Sequence, residues 1–264
     1  MDKARQGAED LQREFIVGGS SIYMEKPPIG RWGVAAALVA LPGGHRNTAF
    51  RTRGLARDLV FKTTRRGEDA ISWLVPVFAL AERSGFIVPW PMKSARGRYV
   101  EDGWTCEPFI HGERWRAEDM AGLGGRIAQF QAASGDVAQR PGFASACALL
   151  QCDVGGDVDL QGMPDEIVAR CRATWSRIAG WPTGVVHGDL QPGNLLRVAG
   201  GQVALLDWDE CRVDARLFDD VAVGLAADEA AGMALLAWEV ACSWRLEPEY
   251  ARRLATRLMG RAGF

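Results

Sequence analysis

The chain has no Gly-Lys dipeptide and no G-x-G-x-x-G run, which excludes a Walker A phosphate loop and a dinucleotide-binding fingerprint. Histidine is scarce, with three residues, and no Cys/His cluster has zinc spacing. The six cysteines (Cys106, Cys147, Cys152, Cys171, Cys211 and Cys242) form no C-x-x-C pair and no regular framework. That is the pattern of reduced thiols in a cytoplasmic protein, and not of a secreted disulfide scaffold. Long apolar runs are missing: Val34 to Leu41 falls far short of the roughly 20 residues that span a bilayer. The first residues carry alternating charge at Asp2, Lys3, Arg5, Glu9 and Asp10, so no signal-peptide apolar region is expected. Neither sign of charge dominates, since 31 basic and 33 acidic residues give a net charge of -2. This argues against a nucleic-acid binder, and the Arg-rich stretch from Arg51 to Arg66 reads as solvated strand edges. A length of 264 residues allows one large domain or two small lobes. No repeat and no low-complexity segment stands out, and nothing in the sequence fixes an oligomeric state.

What is present is concentrated in one segment. His187-Gly188-Asp189 is followed by Leu190-Gln191-Pro192-Gly193-Asn194. An Asp and an Asn with four residues between them recur in phosphoryl-transfer loops, where the Asp orients a hydroxyl and the Asn holds a metal. The chain then runs Leu195 to Val198, Ala199-Gly200-Gly201-Gln202, Val203 to Leu206 and Asp207. Two apolar strands around a Gly-Gly turn predict a hairpin, which returns Asp207 to the side of Asn194. Such an oxygen-rich pair suits Mg²⁺.

On these residues, Val185 to Val223 resembles the catalytic core of the aminoglycoside phosphotransferase and choline kinase-like family, small-molecule relatives of the protein kinases. The resemblance implies Asp189 as catalytic base and Asn194 and Asp207 as Mg²⁺ ligands. Asp207-Trp208-Asp209 stands where protein kinases have Asp-Phe-Gly, and Leu217-Phe218-Asp219-Asp220-Val221-Ala222 resembles the family's Asp-Leu-Ala helix start. Gly188 in place of Arg, and no Ala-Pro-Glu segment after Asp207, argue against a protein kinase. His187 is expected to hold the loop through hydrogen bonds and not to act as a base.

Upstream, residues 4–16 read as a short amphipathic helix, and Gly18 to Gly33 as a lead-in or an edge strand. Val34 to Leu41, then Pro42 to Asn47, then Thr48 to Arg53, read as strand, glycine loop, strand. Asp58 to Thr63 supplies a third strand carrying Lys62. Gly43 and Gly44 let backbone N–H groups approach phosphates, and Lys62 adds a charge on them. By the resemblance, Gly43-Gly44-His45-Arg46-Asn47 fits the family's nucleotide loop, which involves Asn47, and Lys62 matches its nucleotide-pairing lysine. A helix is expected over Glu68 to Arg83, kinked or restarted at Pro76. The family's helix Glu that pairs with this lysine is missing, its place falling near Leu74, and Glu68 or Asp69 is left as a substitute. Phe86 to Trp90 and Tyr99 to Ile110 read as two more strands. Cys106 to Ile110 is the implied hinge, with adenine contacting the backbone at Glu107 and Phe109 and Phe109 as donor.

Further helices are expected over Ala117 to Ser134, Phe143 to Gln151, Pro164 to Ile178, Val221 to Trp244 and Glu247 to Met259. Gln131 stands where family members often have a His, so nothing catalytic is assigned there. Glu239, Trp244, Glu247 and Glu249 are candidates for a substrate cleft, although core packing and a solvated face account for them more simply. The acidic stretch from Asp153 to Glu166 leans toward a cationic acceptor.

The resulting expectation is an α+β, bilobal protein-kinase-like fold. A small antiparallel nucleotide-binding N-terminal lobe, residues 1–110, packs on a mainly helical catalytic and substrate-binding lobe, residues 111–264. The implied activity is transfer of the γ-phosphoryl of ATP, with GTP left open, to a small-molecule hydroxyl with Mg²⁺. The acceptor is an aminoglycoside-like amino-sugar or an amino alcohol. A homoserine- or choline-type kinase and a nucleotide-binding pseudokinase are the alternatives. No nucleic acid or membrane partner is expected.

Overall fold

Alternation of apolar side chains along three short segments builds the first sheet. The computed structural model describes residues 25–42, 46–226 and 229–260; the expected helix at 4–16 and the loop residues Gly43, Gly44 and His45 lie outside them. Strands β1 (Ala37–Ala40), β2 (Ala49–Arg53) and β3 (Leu59–Thr63) form an antiparallel meander in which Leu38 faces Thr52 and Phe50 faces Phe61. Helix α1 (Glu68–Ser72) stops at Trp73, and α2 (Leu74–Arg83) restarts there. Pro76 lies in the first turn of α2, where N–H groups have no intrahelical acceptor, so the proline restarts the helix and does not kink it.

Next come β4 (Phe86–Ile87) and β5 (Trp104–Pro108). β5 completes the first sheet beside β3, with Lys62 opposite Thr105. Phe50, Leu59, Phe61, Trp104 and Cys106 bury one face of that sheet. The expected strands were longer at both places. Asp102 and Gly103, both at positive φ, turn the chain between Glu101 and Trp104, so β5 starts only at Trp104. β4 is two residues long and joins another sheet.

β6 (Glu113–Arg114), α3 (Gly124–Ala133), the hairpin strands β7 (Val154–Gly155) and β8 (Val158–Asp159), and α4 (Asp165–Ser176) follow. The helix expected over Phe143 to Gln151 is reduced to a 3-10 turn at Ala148–Leu150. The Ala146 N–H is taken by the buried Asp214 carboxylate, and a helix there would have to give that bond up.

β9 (Thr183–Val186), β10 (Leu195–Arg197), β11 (Val203–Leu205) and β12 (Arg212–Ala215) carry the segment around His187 to Asp207. β10 and β11 pair antiparallel, Leu195 facing Leu205, within a sheet of order β4-β11-β10-β6. β9 pairs with β12, Val186 facing Arg212. After α5 (Leu217–Asp220), Gly224 at φ 74 interrupts the chain before α6 (Glu229–Ser243) and α7 (Pro248–Gly260). Of the helix expected over Val221 to Trp244, α6 forms Glu229–Ser243, and the helix expected over Glu247 to Met259 is α7.

The molecule has the bilobal α+β architecture expected. A helical core unites α4, α6 and α7 residues such as Trp175, Val240 and Leu258. A middle core joins α2 (Val77, Phe78) and α3 (Ile127, Phe130) to the β10–β11 hairpin (Leu195, Leu205) and Trp208. Burying each such large apolar side chain stabilises the fold by about 1.5–3 kcal/mol, so the hairpin is held through one face by this core, while Leu196 and Leu206 border the cleft on the other.

Candidate active site

The turn at residues 187–189 is shaped by its neighbours. Gly188 has φ 82, and a Cβ there would lie 2.6 Å from the Glu210 carbonyl oxygen and 2.7 Å from Arg212 Nη1. Only glycine fits. The backbone N–H groups of His187 and Gly188 both donate to the Asp219 carboxylate, at 2.6 and 3.1 Å. Of the two adjacent acids at the start of α5, Asp219 is thus the one that grips the loop. His187 is fully buried, its Nε2–H donates to the Leu206 carbonyl at 2.8 Å, and its ring packs on Trp208 at 4.9 Å. It fastens the loop to the hairpin, as expected.

Asp189 is oriented by amides. Asn194 Nδ2 donates to its Oδ2 at 2.7 Å and to its backbone carbonyl at 2.8 Å, and Gln191 Nε2 donates to both carboxylate oxygens at 3.0 and 3.1 Å. With Nδ2 committed as donor, the Asn194 amide keeps Oδ1 as its acceptor. At the open end of the hairpin the Leu206 N–H bonds the Asn194 carbonyl at 2.8 Å, so Asp207 emerges beside Asn194. Asp207 adopts left-handed backbone angles, φ 59 and ψ 68. Such a conformation costs a non-glycine residue on the order of 1 kcal/mol and is tolerated where the surroundings impose it. Trp208 imposes it: the indole is buried against Phe78 (4.9 Å) and Phe130 (5.9 Å) and donates to the Leu205 carbonyl.

Lys62 reaches Asp207 directly and lies 3.4 Å from Asp209. Burial alone would lower the Lys62 ammonium, but the Asp209, Asp207 and Glu107 carboxylates outweigh it and hold it above the ordinary lysine value. Neither Glu68 nor Asp69 substitutes for the missing helix acid. The Glu68 carboxylate instead accepts from the Tyr99 and Val100 N–H groups. Asn47 of the glycine loop donates to Asp209.

The hinge needs a correction. The Phe109 N–H already donates to the Asp58 carbonyl at 2.9 Å, so it is spent within the sheet. The Phe109 ring is covered by the Arg51 guanidinium at 3.7 Å. Glu107 shares a strand face with Thr105, opposite Lys62. Its carboxyl is pushed up to about 7 by burial, against Lys62 and with Asp207 and Asp209 adding to the shift.

Three arginines escaped sequence reading. Arg140, 1 % exposed, donates to the carbonyls of Ala70, Trp208, Asp209 and Cys211 and so clamps the turn after Asp207. Arg212 pairs with Asp214 at 2.8 Å, both fully buried, under the Trp238 ring. Arg46 extends from the glycine loop into a carboxylate cluster, bonding Glu210 at 2.8 Å, Glu247 at 2.9 Å and Ser243 Oγ at 2.9 Å. For Arg140 and Arg46 the separation from their partners hid them, since pairs about 70 to 200 positions apart leave no local pattern; the Arg212–Asp214 pair is local, and what the sequence did not show is its complete burial. Glu239, Glu247 and Glu249 do line the cleft, whereas Trp244 turns away to the Gly162 carbonyl.

Asp189, Asn194, Asp207, Lys62, Asn47, Glu107 and Phe109 all border one cleft of about 1250 Å³ between the lobes. Among the described residues, no three His, Cys, Asp or Glu side chains are grouped to hold a metal by themselves. The hard oxygens of Asn194 and Asp207, both on residues that border the cleft, fit Mg²⁺ in chemistry. An ion of that kind retains waters and phosphate oxygens, so two protein ligands are enough. Also among the described residues, all six cysteines are free, and no helix is long and apolar enough to cross a membrane.

A family model described as the phosphotransferase enzyme family matches residues 37–253. Comparison with curated proteins gives no match. Among solved structures, the chain is similar to a thermostable mutant of aminoglycoside phosphotransferase APH(4)-Ia in its apo form. Identity there is 14% over 89% of this chain and 98% of that one, with a TM-score of 0.59. Spectinomycin phosphotransferase APH(9)-Ia, in complex with ADP and spectinomycin, gives 11% identity, 88% coverage of both chains and a TM-score of 0.52. Macrolide 2'-phosphotransferase MphH from Brachybacterium faecium gives 14% identity, coverage of 89% and 96%, and a TM-score of 0.52. At such identities the shared property is the fold.

Proposed function

Because the chain belongs to the phosphotransferase enzyme family, we propose that it transfers the γ-phosphoryl group of ATP, with Mg²⁺, to a hydroxyl of a small molecule that carries a positively charged amine. The observation that carries this reading is the meeting of Asp189, Asn194, Asp207 and Lys62 on one cleft. Little covalent work falls to the protein in phosphoryl transfer, so positioning and charge compensation do most of it.

In this reading the acceptor hydroxyl hydrogen-bonds the Asp189 carboxylate, which Asn194 and Gln191 hold in place. As the acceptor oxygen bonds to phosphorus, the bond from phosphorus to the β–γ bridging oxygen breaks and ADP leaves. The hydroxyl proton passes to Asp189 and then to solvent. Asn194 Oδ1 and Asp207 would hold Mg²⁺, which supplies positive charge against the phosphate oxygens when bound. Lys62 would meet the same phosphates once ATP is bound, and Gly43, Gly44 and Asn47 are the loop residues the family resemblance assigns to them. For adenine, backbone groups alternate along a strand, so the edge facing away from β3 offers the Pro108 carbonyl and the Ile110 N–H. Glu107 and Phe109 then flank the base without donating to it.

The same reading places the lobe boundary near residue 110 and the protein in a reducing, cytoplasmic setting. A positive charge on the acceptor is supported by the carboxylates of Glu210, Glu239 and Glu247 on the cleft wall beside Asp189. ADP release with Mg²⁺-ATP across amino-sugars, amino alcohols and neutral sugars tests the proposal. Turnover with a cationic acceptor, lost in Asp189→Asn, supports it, whereas binding of ATP with no turnover on any acceptor would leave a nucleotide-binding pseudokinase.

A further inference from the structure

Arg46 crosses the cleft. It belongs to the loop between β1 and β2, yet every polar partner of its guanidinium belongs to the other side. Glu210 follows the Asp207 turn, Asp157 (3.8 Å) sits in the β7–β8 turn, Cys242 and Ser243 end α6, and Glu247 precedes α7. Glu239 of α6 stands 4.0 Å away. Four carboxylates surround one guanidinium; Asp157 is shared with Arg66 at 2.8 Å and Arg65 at 3.6 Å, and Glu210 also feels Arg212 and Arg66. The Arg46 side chain is 20 % exposed and borders the same cleft as Asp189. A flexible, charged side chain is costly to order, and this one makes charge-assisted bonds at 2.8 and 2.9 Å to carboxylates of two separate elements.

We propose that Arg46 is a self-inhibitory latch: its guanidinium occupies the subsite that receives the acceptor's cationic group, and a cationic acceptor binds by displacing it. The inference rests on reading this cleft as the acceptor site and adds how that site is kept closed. The latch explains why Arg46 and Asn47, from a segment expected on phosphates, contact carboxylates instead. Arg46 bonds Glu210 and Glu247, and Asn47 bonds Asp209, so both side chains are held against the opposite wall of the cleft. Exchange of one cation for another costs the acidic pocket little, whereas a neutral acceptor would have to leave the carboxylates without a partner.

Methylguanidinium and its neutral analogue methylurea serve as probes, titrated by calorimetry into nucleotide-free wild-type protein and Arg46→Ala. The latch predicts that methylguanidinium binds the Ala variant about tenfold more tightly than wild type, with no gain for methylurea. It also predicts that Glu247→Gln added to Arg46→Ala removes the gain. Equal affinity of methylguanidinium for the two proteins, or an equal gain for methylurea, overturns it. Should the Ala variant fail to fold, hydrogen exchange on the wild-type protein decides the matter. Saturating methylguanidinium must then raise exchange at Asn47 and Thr48, and unchanged exchange overturns the proposal. Because no readout requires turnover, a tighter-binding variant in a protein that phosphorylates nothing upholds the latch and removes the kinase reading. Turnover without the gain does the reverse.

Discussion

The Lys62 ammonium pairs with the Asp207 carboxylate, so the charge expected on phosphates rests on a residue expected to face the metal. The pair is mutually protective in the nucleotide-free cleft, because neither group is left desolvated without a partner. Replacing Lys62 by Met is expected to lower kcat/KM for ATP by about 10²-fold, the usual size for loss of one positioned charge at a phosphoryl or oxyanion site. Freed from its cation, Asp207 should bind Mg²⁺ more tightly in the absence of nucleotide. Steady-state kinetics and a Mg²⁺ titration check both, and an unchanged KM for ATP would count against the assignment of Lys62.

Asp189→Asn keeps the shape and the Asn194 contact distance while removing the proton acceptor. Turnover is expected to fall by about 10²–10⁴-fold, the range for loss of a general base, while the Kd for ATP stays within about twofold because Asp189 acts on the acceptor. Single-turnover kinetics beside equilibrium nucleotide titration separates the two quantities.

Trp208 fills the space between Phe78, Phe130 and His187. Trp208→Ala is expected to destabilise the fold by about 3–5 kcal/mol, the range for deleting a large buried aromatic. Trp208→Phe should cost less but lose the bond to the Leu205 carbonyl. Urea unfolding monitored by circular dichroism gives the values. A loss below about 1 kcal/mol for the Ala variant would show that the indole does not hold the turn.

How far the sequence carried this site depended on the distance between partners. The segment from His187 to Asp207 was legible because a turn, a hairpin and three oxygen-bearing side chains fall within about two dozen residues, where local rules apply. The β1–β2–β3 meander was legible for the same reason, and so was α4 with Pro164 before it. Arg140 was not, because its four carbonyl acceptors lie about 70 residues away, and nothing local distinguishes it from a surface arginine. The Phe109 donor was misplaced because strand alternation is fixed by pairing with Asp58, a fact of register and not of composition. The helix expected from Phe143 failed because a side chain on β12 claimed its backbone N–H. Helix propensity is a weak prior against such a tertiary claim.

Arg140 offers its own test. Arg140→Met leaves the carbonyls of Trp208, Asp209 and Cys211 without their shared donor, and orphaned buried acceptors cost about 1–3 kcal/mol each when water cannot replace the partner. Destabilisation of about 3 kcal/mol is expected, together with faster amide exchange across residues 207–211 and a raised KM for Mg²⁺-ATP. Destabilisation without any local change in exchange would mean that the arginine packs but does not clamp.

Glu107 gives the molecule a pH signature. Its carboxyl is raised from 4.5 to about 7 by burial, with Asp207 and Asp209 adding and Lys62 opposing. A carboxyl raised on folding binds its proton more tightly in the native state, so its contribution is full below about pH 4.5 and is lost as pH rises through about 7. In Glu107→Gln the neutral form is permanent. The difference in unfolding midpoint, variant minus wild type, is expected to grow by several degrees between pH 4.5 and 7.5. Differential scanning across that range checks it, and a flat difference would place the Glu107 carboxyl in an ordinary environment.

One carboxylate, that of Asp219, receives both N–H groups of the His187-Gly188 turn. On a ribosome this has a temporal meaning. A nascent chain that has emerged only as far as Asp207 already contains every oxygen proposed for catalysis, but not the group that shapes the turn bearing Asp189. The hydrogen bonds that shape the turn bearing Asp189 therefore become available only once the chain has reached Asp219 in the next helix.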